Sequence, residues 1–255
     1  MFLFSPKPSM KALIVGVVIL HFALQILSTQ YYSVEIPWLG GLLYVISGGL
    51  CLLSAAHLVR KATKQKSRQA LTLGAGVWLL GLTHILAGLG LVGLFGIISP
   101  ANINLAYYLF VFGFGITGIL FHQSHTDVRI RAVPHRLIVG TILMIVGVAA
   151  LYKFHTLLPP LFTALTGSTL ARQQLMTLVL ILYCTASARF AIEYWEKSAK
   201  AWHWFVISLG ILGLAMLDFI LSQYPGDAYS WAGRFMILAS SIGFIQYRWW
   251  DEQEG

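Results

Sequence analysis

RKATKQKSR, residues 60–68, is the stretch of this chain that decides its fold. Long apolar runs flank it on both sides, Trp38–Val59 before it and Ala70–Ile97 after it. A second basic segment follows two apolar runs later and contains Arg129 and Arg136. The connections between the basic segments are polar but nearly uncharged. This alternation is typical of a helical membrane protein whose Lys and Arg residues stay on the cytoplasmic side.

The composition favours the same class of protein. Hydrophobic residues make up 58% of the chain and charged residues only 10%, against about 25% charged in ordinary soluble domains. So few charges could not cover the surface of a water-soluble protein of this size, so the lipid bilayer is the expected partner and solvent. The net charge of +8 does not indicate nucleic acid, because it is divided among several loops. Topology and anionic lipid headgroups explain it better.

Eight apolar segments are long enough to span a bilayer, which takes about 20 residues each as a helix. The sequence therefore predicts an all-α fold, a polytopic bundle forming one transmembrane domain over residues 1–255. Helices are favoured over a barrel because no alternating strand pattern is present. The predicted spans are Met10–Ser28, Trp38–Val59, Ala70–Ile97, Leu105–His122, Leu137–Lys153, Gln173–Tyr194, Trp202–Leu221 and Trp231–Tyr247.

The distribution of positive charge predicts the orientation of these spans. With the N-terminus inside, only Lys153, Arg172 and Arg234 of the 17 Lys and Arg residues lie on the outer side. Removing one span would invert every later loop and destroy this bias. We therefore expect both termini in the cytoplasm and a multi-pass location in a bacterial inner (cell) membrane.

Asp218 is the most informative acidic residue, because it lies within apolar sequence near the outer end of the seventh span. A lone carboxylate there is costly, so it should be protonated or paired. Arg234, at the start of the eighth span, could bind it in a bidentate manner. The pair could be a structural clasp between two helices. Alternatively, it could line an outward-facing ligand cavity walled by Tyr224, Tyr229 and Trp231.

Histidines raise the alternative of a haem site. A b-type haem in a helical bundle needs two axial imidazoles on facing helices at one depth. By the predicted topology, His21 with His84 could meet this condition, and so could His57 with His122. A neutral histidine bonded to a neighbouring helix would explain each position as well. A zinc site is disfavoured, because no dense cluster of His, Cys and carboxylate residues is present.

The last two predicted spans carry a resemblance to a known family. The segments LDFILS (217–222), GDAYSWAGR (226–234) and ASS (239–241) resemble the last two helices of bacterial membrane-associated sensor (MASE-type) domains. These domains are multi-helix input modules that precede diguanylate cyclase or histidine kinase output domains. The resemblance implies sensing of a ligand or a membrane state, with the signal leaving through the final helix.

Three functions are therefore expected, in descending order. The first is a non-catalytic sensor that signals to a cytoplasmic output domain or a partner membrane subunit. Hydrolase signatures such as a phosphate-binding Walker loop or a His-Glu-x-x-His helix are missing from the sequence. The second is a subunit of an electron-transfer complex that binds haem b or quinone. The third, a small-solute transporter, would need broken helices at the midplane, and the spans lack prolines. Small-residue helix faces are compatible with a homo-oligomer.

Overall fold

The structure, a computed structural model, describes residues 35–91, 100–124, 133–154, 157–163, 167–194 and 200–254, together with single positions 15, 16, 19, 23 and 26. These five positions are helical. The remainder of the first predicted span, Met10–Ser28, lies outside the described residues. The first span as a whole, and the place of His21 near its middle, therefore stay predictions.

Within the described residues the chain forms seven helices, which correspond to predicted spans two to eight. They are α1 Pro37–Gln65, α2 Arg68–Leu91, α3 Pro100–Gln123, α4 Val133–Phe154, α5 Leu170–Tyr194, α6 Lys200–Leu221 and α7 Ala228–Glu254. Consecutive helices pack together from α1 to α4 and from α5 to α7; α7 also returns to α1, and α3 packs against α5. This arrangement confirms the expected helical bundle.

Five of the described helical segments are long and apolar enough to cross a membrane. They are Pro37–Gln65, Arg68–Leu91, Asn104–Gln123, Leu170–Tyr194 and Lys200–Leu221. The part of α4 from Ile145 to Phe154 is apolar but shorter. A helical membrane protein is therefore supported, whereas the number of passes and their orientation remain predictions.

Two helices continue beyond the spans that the apolar runs predict. α1 extends through most of the basic segment and ends only at Lys66, whose φ of 52° lies in the left-handed region. The segment between Val59 and Lys66 contains no glycine or proline, so nothing in it interrupts the helix. Likewise, α7 runs on past Tyr247 to Glu254. Both extensions carry charged side chains beyond the apolar part of the bundle.

The helices α1 and α2 approach closely through glycines. A Cβ on Gly48 would lie 2.6 Å from the carbonyl oxygen of Gly81, and one on Gly81 would lie 2.9 Å from that of Gly48. Both distances are shorter than any real Cβ contact. Small residues at such positions let helix backbones pack tightly in a membrane, where dispersion rather than water exclusion drives association.

Aromatic rings pack against one another in the centre of the bundle, and large apolar side chains are exposed on its outer surface. Phe121 packs edge to face on Phe205 with a centroid distance of 5.7 Å, and Phe205 packs on Phe244 at 5.4 Å. Such pairs stabilise by about 0.5–1.5 kcal/mol beyond the area they bury. Outside, large apolar side chains such as Ile181 and Ile192 are exposed. This distribution suits a protein whose outer surface meets lipid.

A small hairpin covers one end of the bundle. Strand β1, Phe162–Thr163, pairs antiparallel with β2, Gly167–Ser168. The side chain of Asn104 holds it to α3, accepting hydrogen bonds from the backbone N–H groups of Leu161 and Phe162 at 2.8 and 2.9 Å. We call this the hairpin end, and the opposite end, which carries residues 60–68, the basic end.

Candidate functional site

A cavity of about 160 Å³ lies at the hairpin end of the bundle. Its wall combines apolar side chains with three charged ones, Glu35, Arg172 and Arg234. The helices α1, α2, α3, α5, α6 and α7 all contribute lining residues, as does Tyr152 of α4. Sites of this kind, mainly apolar with a few convergent polar groups, are the usual places for small ligands.

Arg234 and Glu35 form a bidentate ion pair in the cavity wall. Nη1 and Nη2 of Arg234 each donate to one oxygen of Glu35 at 2.8 Å. The arginine side chain is 4% exposed and the glutamate 22%. On another side, the guanidinium lies over the ring of Trp231, 4.6 Å from its centroid. The pair joins the start of α7 to the residues just before α1.

Two glycines leave the space that this ion pair occupies. A Cβ on Gly40 would lie 2.5 Å from Nη1 of Arg234, so a side chain there would displace the guanidinium. Gly226 has a φ of +79°, which favours glycine, and a Cβ on it would lie 2.5 Å from the backbone nitrogen of Glu35. Asp227 then begins α7, accepting from the N–H of Ser230 at 2.7 Å as an N-cap.

Arg172 is the second arginine of the cavity, and it is 1% exposed. Thr169 sets its position, because its hydroxyl accepts from the backbone N–H of Arg172 at the start of α5. The guanidinium donates to the carbonyls of Phe219 at 3.0 Å and Ser222 at 3.3 Å. A cation at these carbonyls satisfies groups that the end of α6 leaves open and opposes its dipole. Its other face covers Tyr107, 4.6 Å from the ring centroid.

The predicted ligand residues occupy different places around this cavity. Arg234 lines it, and the bidentate partner of Arg234 is Glu35, not Asp218. Asp218 is fully buried in α6 and does not line the cavity. Trp231 supports Arg234 from outside the cavity, while Tyr224 is 44% exposed. Tyr229 is half-buried and is likewise absent from the lining.

A second polar cluster lies at the basic end of the same two helices. Asp251 of α7 accepts two hydrogen bonds from α1. One comes from Nε2 of His57 at 2.7 Å and the other from Nζ of Lys61 at 2.6 Å. Nδ1 of His57 lies 3.2 Å from Glu252, which also accepts from Arg248. Burial alone would raise the pKa of Asp251, but the hydrogen bonds from His57 and Lys61 outweigh it and lower the pKa below its ordinary value of 3.8.

The four candidate haem ligands are not gathered into pairs by the described contacts. Both ring nitrogens of His57 contact carboxylates of α7, whereas Nε2 of His122 bonds Leu182 and Thr185 of α5. His84 is fully buried, and neither of its ring nitrogens has a hydrogen-bond partner in the described part of the chain. Its predicted partner, His21, lies outside that part. No cluster of three His, Cys or carboxylate residues suits a metal ion among the residues described.

Sequence reasoning singled out neither Glu35 nor Arg172 as a site residue, although a signal for one of them was present. Arg172 and Arg234 are two of the three positive residues on the predicted outer side, against the bias of the chain. Both prove to line the cavity. A cation retained against the topological bias is therefore a useful pointer to a site. Glu35 gave no comparable signal, because it stands in a short polar connection.

Comparisons of the chain with protein-family models, with curated proteins and with solved structures found no match. The resemblance to membrane-associated sensor domains therefore stays a prediction that depends on the quoted segments. The interpretation of the cavity depends on its own geometry.

Proposed function

We propose that this protein is a non-catalytic membrane sensor of the bacterial inner membrane. A ligand enters the cavity at the hairpin end, and the signal leaves through the basic end of α7. The observation that supports this most directly is that α1 and α7 are joined by ionic contacts at both of their ends. Glu35–Arg234 closes one end, and Asp251 with His57 and Lys61 closes the other.

The cavity gives a ligand a physical means of acting on this helix pair. An anionic group bound among the charged residues of this cavity would repel Glu35 and compete with it for Arg234, which would weaken the contact between α7 and the start of α1. A ligand shifts an equilibrium only through its different affinity for the two states. Exchange of one ion pair for another supplies that difference. Between these two ends, the thiol of Cys51 in α1 and the hydroxyl of Ser241 in α7 form a weak hydrogen bond of 3.4 Å, which permits a small adjustment of the helix pair.

The basic end is the part of α7 from which an output domain or a partner subunit would receive the signal. With the positive residues inside, the extension of α7 to Glu254 enters the cytoplasm. The contacts of Asp251 with α1 then report the position of α7 to that compartment. The resemblance of residues 217–241 to sensor domains supports the same assignment.

The substitution Glu35→Gln tests the coupling without knowledge of the ligand, because it removes the charge that holds Arg234. We expect amide hydrogen exchange in residues 248–254 to become at least about fivefold faster. Fivefold is the effect that corresponds to the smallest usual coupling free energy between two sites. Exchange is measured by mass spectrometry on protein in lipid nanodiscs. Unchanged exchange at 248–254 in folded Glu35→Gln protein would overturn the proposal.

Two further variants control this experiment. Asp251→Asn opens the basic end directly and shows the largest exchange that the assay can register there. Thr177→Val removes an exposed hydroxyl of α5 whose hydrogen bond, among the described residues, goes to Gln173 of the same helix, so it should leave residues 248–254 unchanged. Exchange in α5 and α6 serves as the internal reference for general destabilisation in each sample.

His84 favours a second candidate, an electron-transfer subunit that binds haem b. An imidazole with two buried nitrogens and no hydrogen-bond partner among the described residues is costly, and iron ligation would relieve that cost. The test is the absorption spectrum of protein produced with ample haem. A Soret band that is lost in His84→Ala but kept in His122→Ala supports this candidate, and the lack of a band in the wild type eliminates it.

A further inference from the structure

The charged groups that line the cavity do not balance. Two of them are guanidiniums, Arg172 and Arg234, and one is a carboxylate, Glu35. Both oxygens of Glu35 are held by Arg234. Among the described residues, Arg172 donates hydrogen bonds to the uncharged carbonyls of Phe219 and Ser222. Because arginine stays protonated in proteins, the cavity wall has one excess positive charge, and it lies at Arg172.

Neither arginine uses all of its donors. Nε of Arg172 and Nε of Arg234 are buried and have no hydrogen-bond partner among the residues that the structure describes. A buried donor without a partner costs about 1–3 kcal/mol. Both side chains line the cavity, so an acceptor bound there that drew either Nε towards it would relieve this cost, and a negatively charged one would also balance the excess charge. Carboxylates and phosphates supply such acceptors in the geometry that guanidinium prefers.

The apolar part of the cavity wall indicates what the rest of an anionic ligand should be. Its apolar side chains include Leu86, Leu105, Leu109, Phe110 and Met176. Since a water needs about 10–15 Å³ of such space, the volume of about 160 Å³ corresponds to about 11–16 non-hydrogen atoms. A small inorganic anion would leave most of the apolar wall uncovered. An aliphatic body of medium length would cover it.

We propose that the cavity binds an amphipathic monoanion, with its carboxylate or phosphate head at Arg172 and its aliphatic body along α2 and α3. This inference rests on the proposed function in that it names the ligand class for the same cavity. A soluble amphiphile and the headgroup of an anionic lipid share this chemistry. Arg172 favours a charged head over an uncharged one of the same shape, because the uncharged head leaves the charge of Arg172 unbalanced. The apolar wall makes the same contacts with the aliphatic body of both ligands.

The test uses octanoate and octanamide, two probes of matched size that differ in the charge of the head. The protein is held in nanodiscs of zwitterionic lipid, and each probe is titrated by ligand-observed saturation-transfer NMR against empty discs, which corrects for partition. We expect octanoate to bind at least about tenfold more tightly than octanamide, the difference expected for one charge-assisted contact. Equal affinity, or no binding of octanoate, would overturn the ligand class.

Three variants locate the head. Arg172→Gln should lose the preference for octanoate, and Arg172→Lys, which keeps the charge but lacks Nε, should retain part of it. Lys153→Gln is the matched control, because Lys153 is the third positive residue of the predicted outer side, is exposed and does not line the cavity. Unaltered octanoate affinity in folded Arg172→Gln protein would contradict the proposal. The comparison of two probes on the wild type remains decisive if this variant does not fold.

Further experiments distinguish a lipid from a soluble amphiphile as the source of the anion. They also separate the ligand class from the proposed sensor function. If anionic phosphatidylglycerol in the discs suppresses octanoate binding, the natural head is that of a lipid; if it does not, the ligand is a soluble amphiphile. Both results support the ligand class. Failure of octanoate to bind leaves the Glu35→Gln exchange experiment intact. Conversely, octanoate binding with unaltered exchange in Glu35→Gln would retain the ligand class and remove the sensor function.

Discussion

The ion pair of Arg234 illustrates how a single buried charge constrains its surroundings. The guanidinium is almost completely buried, and Glu35 neutralises it with two hydrogen bonds of 2.8 Å. Removing one partner of a buried pair is costly because the other charge remains without compensation in a medium of low polarity. At this site the cost is reduced by the partial exposure of Glu35.

We expect Glu35→Gln to lower the free energy of unfolding by about 2–3 kcal/mol, somewhat below the cost for a fully buried pair. Glu252→Gln is the control for an exposed pair, because Glu252 is 47% exposed and its contacts with Arg248, one helical turn away, and with His57 are open to water. Its removal should cost less than about 1 kcal/mol. Reversible unfolding in mixed detergent micelles measures both values. Equal losses in the two variants would contradict the importance of the Glu35–Arg234 pair.

The sequence predicted Arg234 as a site residue but could not predict its partner. A charged residue in apolar sequence is visible by itself, whereas the choice among distant carboxylates depends on the packing of the helices. Glu35 is 199 residues away from Arg234 along the chain. Asp218, much nearer in sequence, was the natural expectation, yet the return of α7 to α1 brings Glu35 to the arginine instead.

At the scale of helices, two adjacent glycines of α1 should respond differently to substitution, because Gly48 lies against α2 and Gly49 does not. Gly48 faces α2, and its Cβ would lie 2.6 Å from a backbone oxygen, whereas Gly49 has no neighbouring atom within 4 Å. We expect Gly48→Ala to destabilise the protein by about 1–3 kcal/mol through overpacking. Gly49→Ala should be neutral or slightly stabilising, because alanine is the better helix former. The same unfolding assay compares them, and similar behaviour would show that the helices are further apart.

The contact between the basic ends of α1 and α7 should contribute less to stability at low pH. The folded-state pKa of Asp251 is lowered, so its contribution to stability is present above the ordinary value of 3.8 and is lost as the pH falls through the lowered one. His57, Lys61 and the neighbouring Glu252 are the charged groups that face it. We expect the stability difference between wild type and Asp251→Asn to be at its full value above pH 3.8 and to shrink as the pH falls below 3.8 through the lowered pKa of Asp251. A difference that does not vary with pH would exclude this charge interaction.

Helix positions were readable from the sequence to different degrees along the chain. The apolar runs located α1 to α7 because burial in lipid requires long uninterrupted apolar helices. They did not locate the ends of α1 and α7, because a charged segment without glycine or proline continues a helix into water as readily as it forms a loop. These extensions matter, since they carry Lys61 and Asp251 into contact.

For the molecule as a whole, the charge distribution and the site predict opposite environments for the two ends of the bundle. The basic end has residues 60–68, and the hairpin end has the cavity with Arg172 and Arg234. If Lys and Arg are retained inside, the cavity must open towards the outer side. The two arginines of the outer side then serve the cavity and do not contradict the charge rule.

Cysteine labelling of intact cells tests this orientation. Thr63 at the basic end and Gln223 at the hairpin end both have exposed side chains. Each is replaced by cysteine in a Cys184→Ser background, since Cys184 is exposed whereas Cys51 is buried. We expect Gln223→Cys to react with a membrane-impermeant maleimide on intact cells and Thr63→Cys to react only after the membrane is opened. The reverse pattern would place the cavity in the cytoplasm, where an amphipathic anion would have to come from metabolism within the cell.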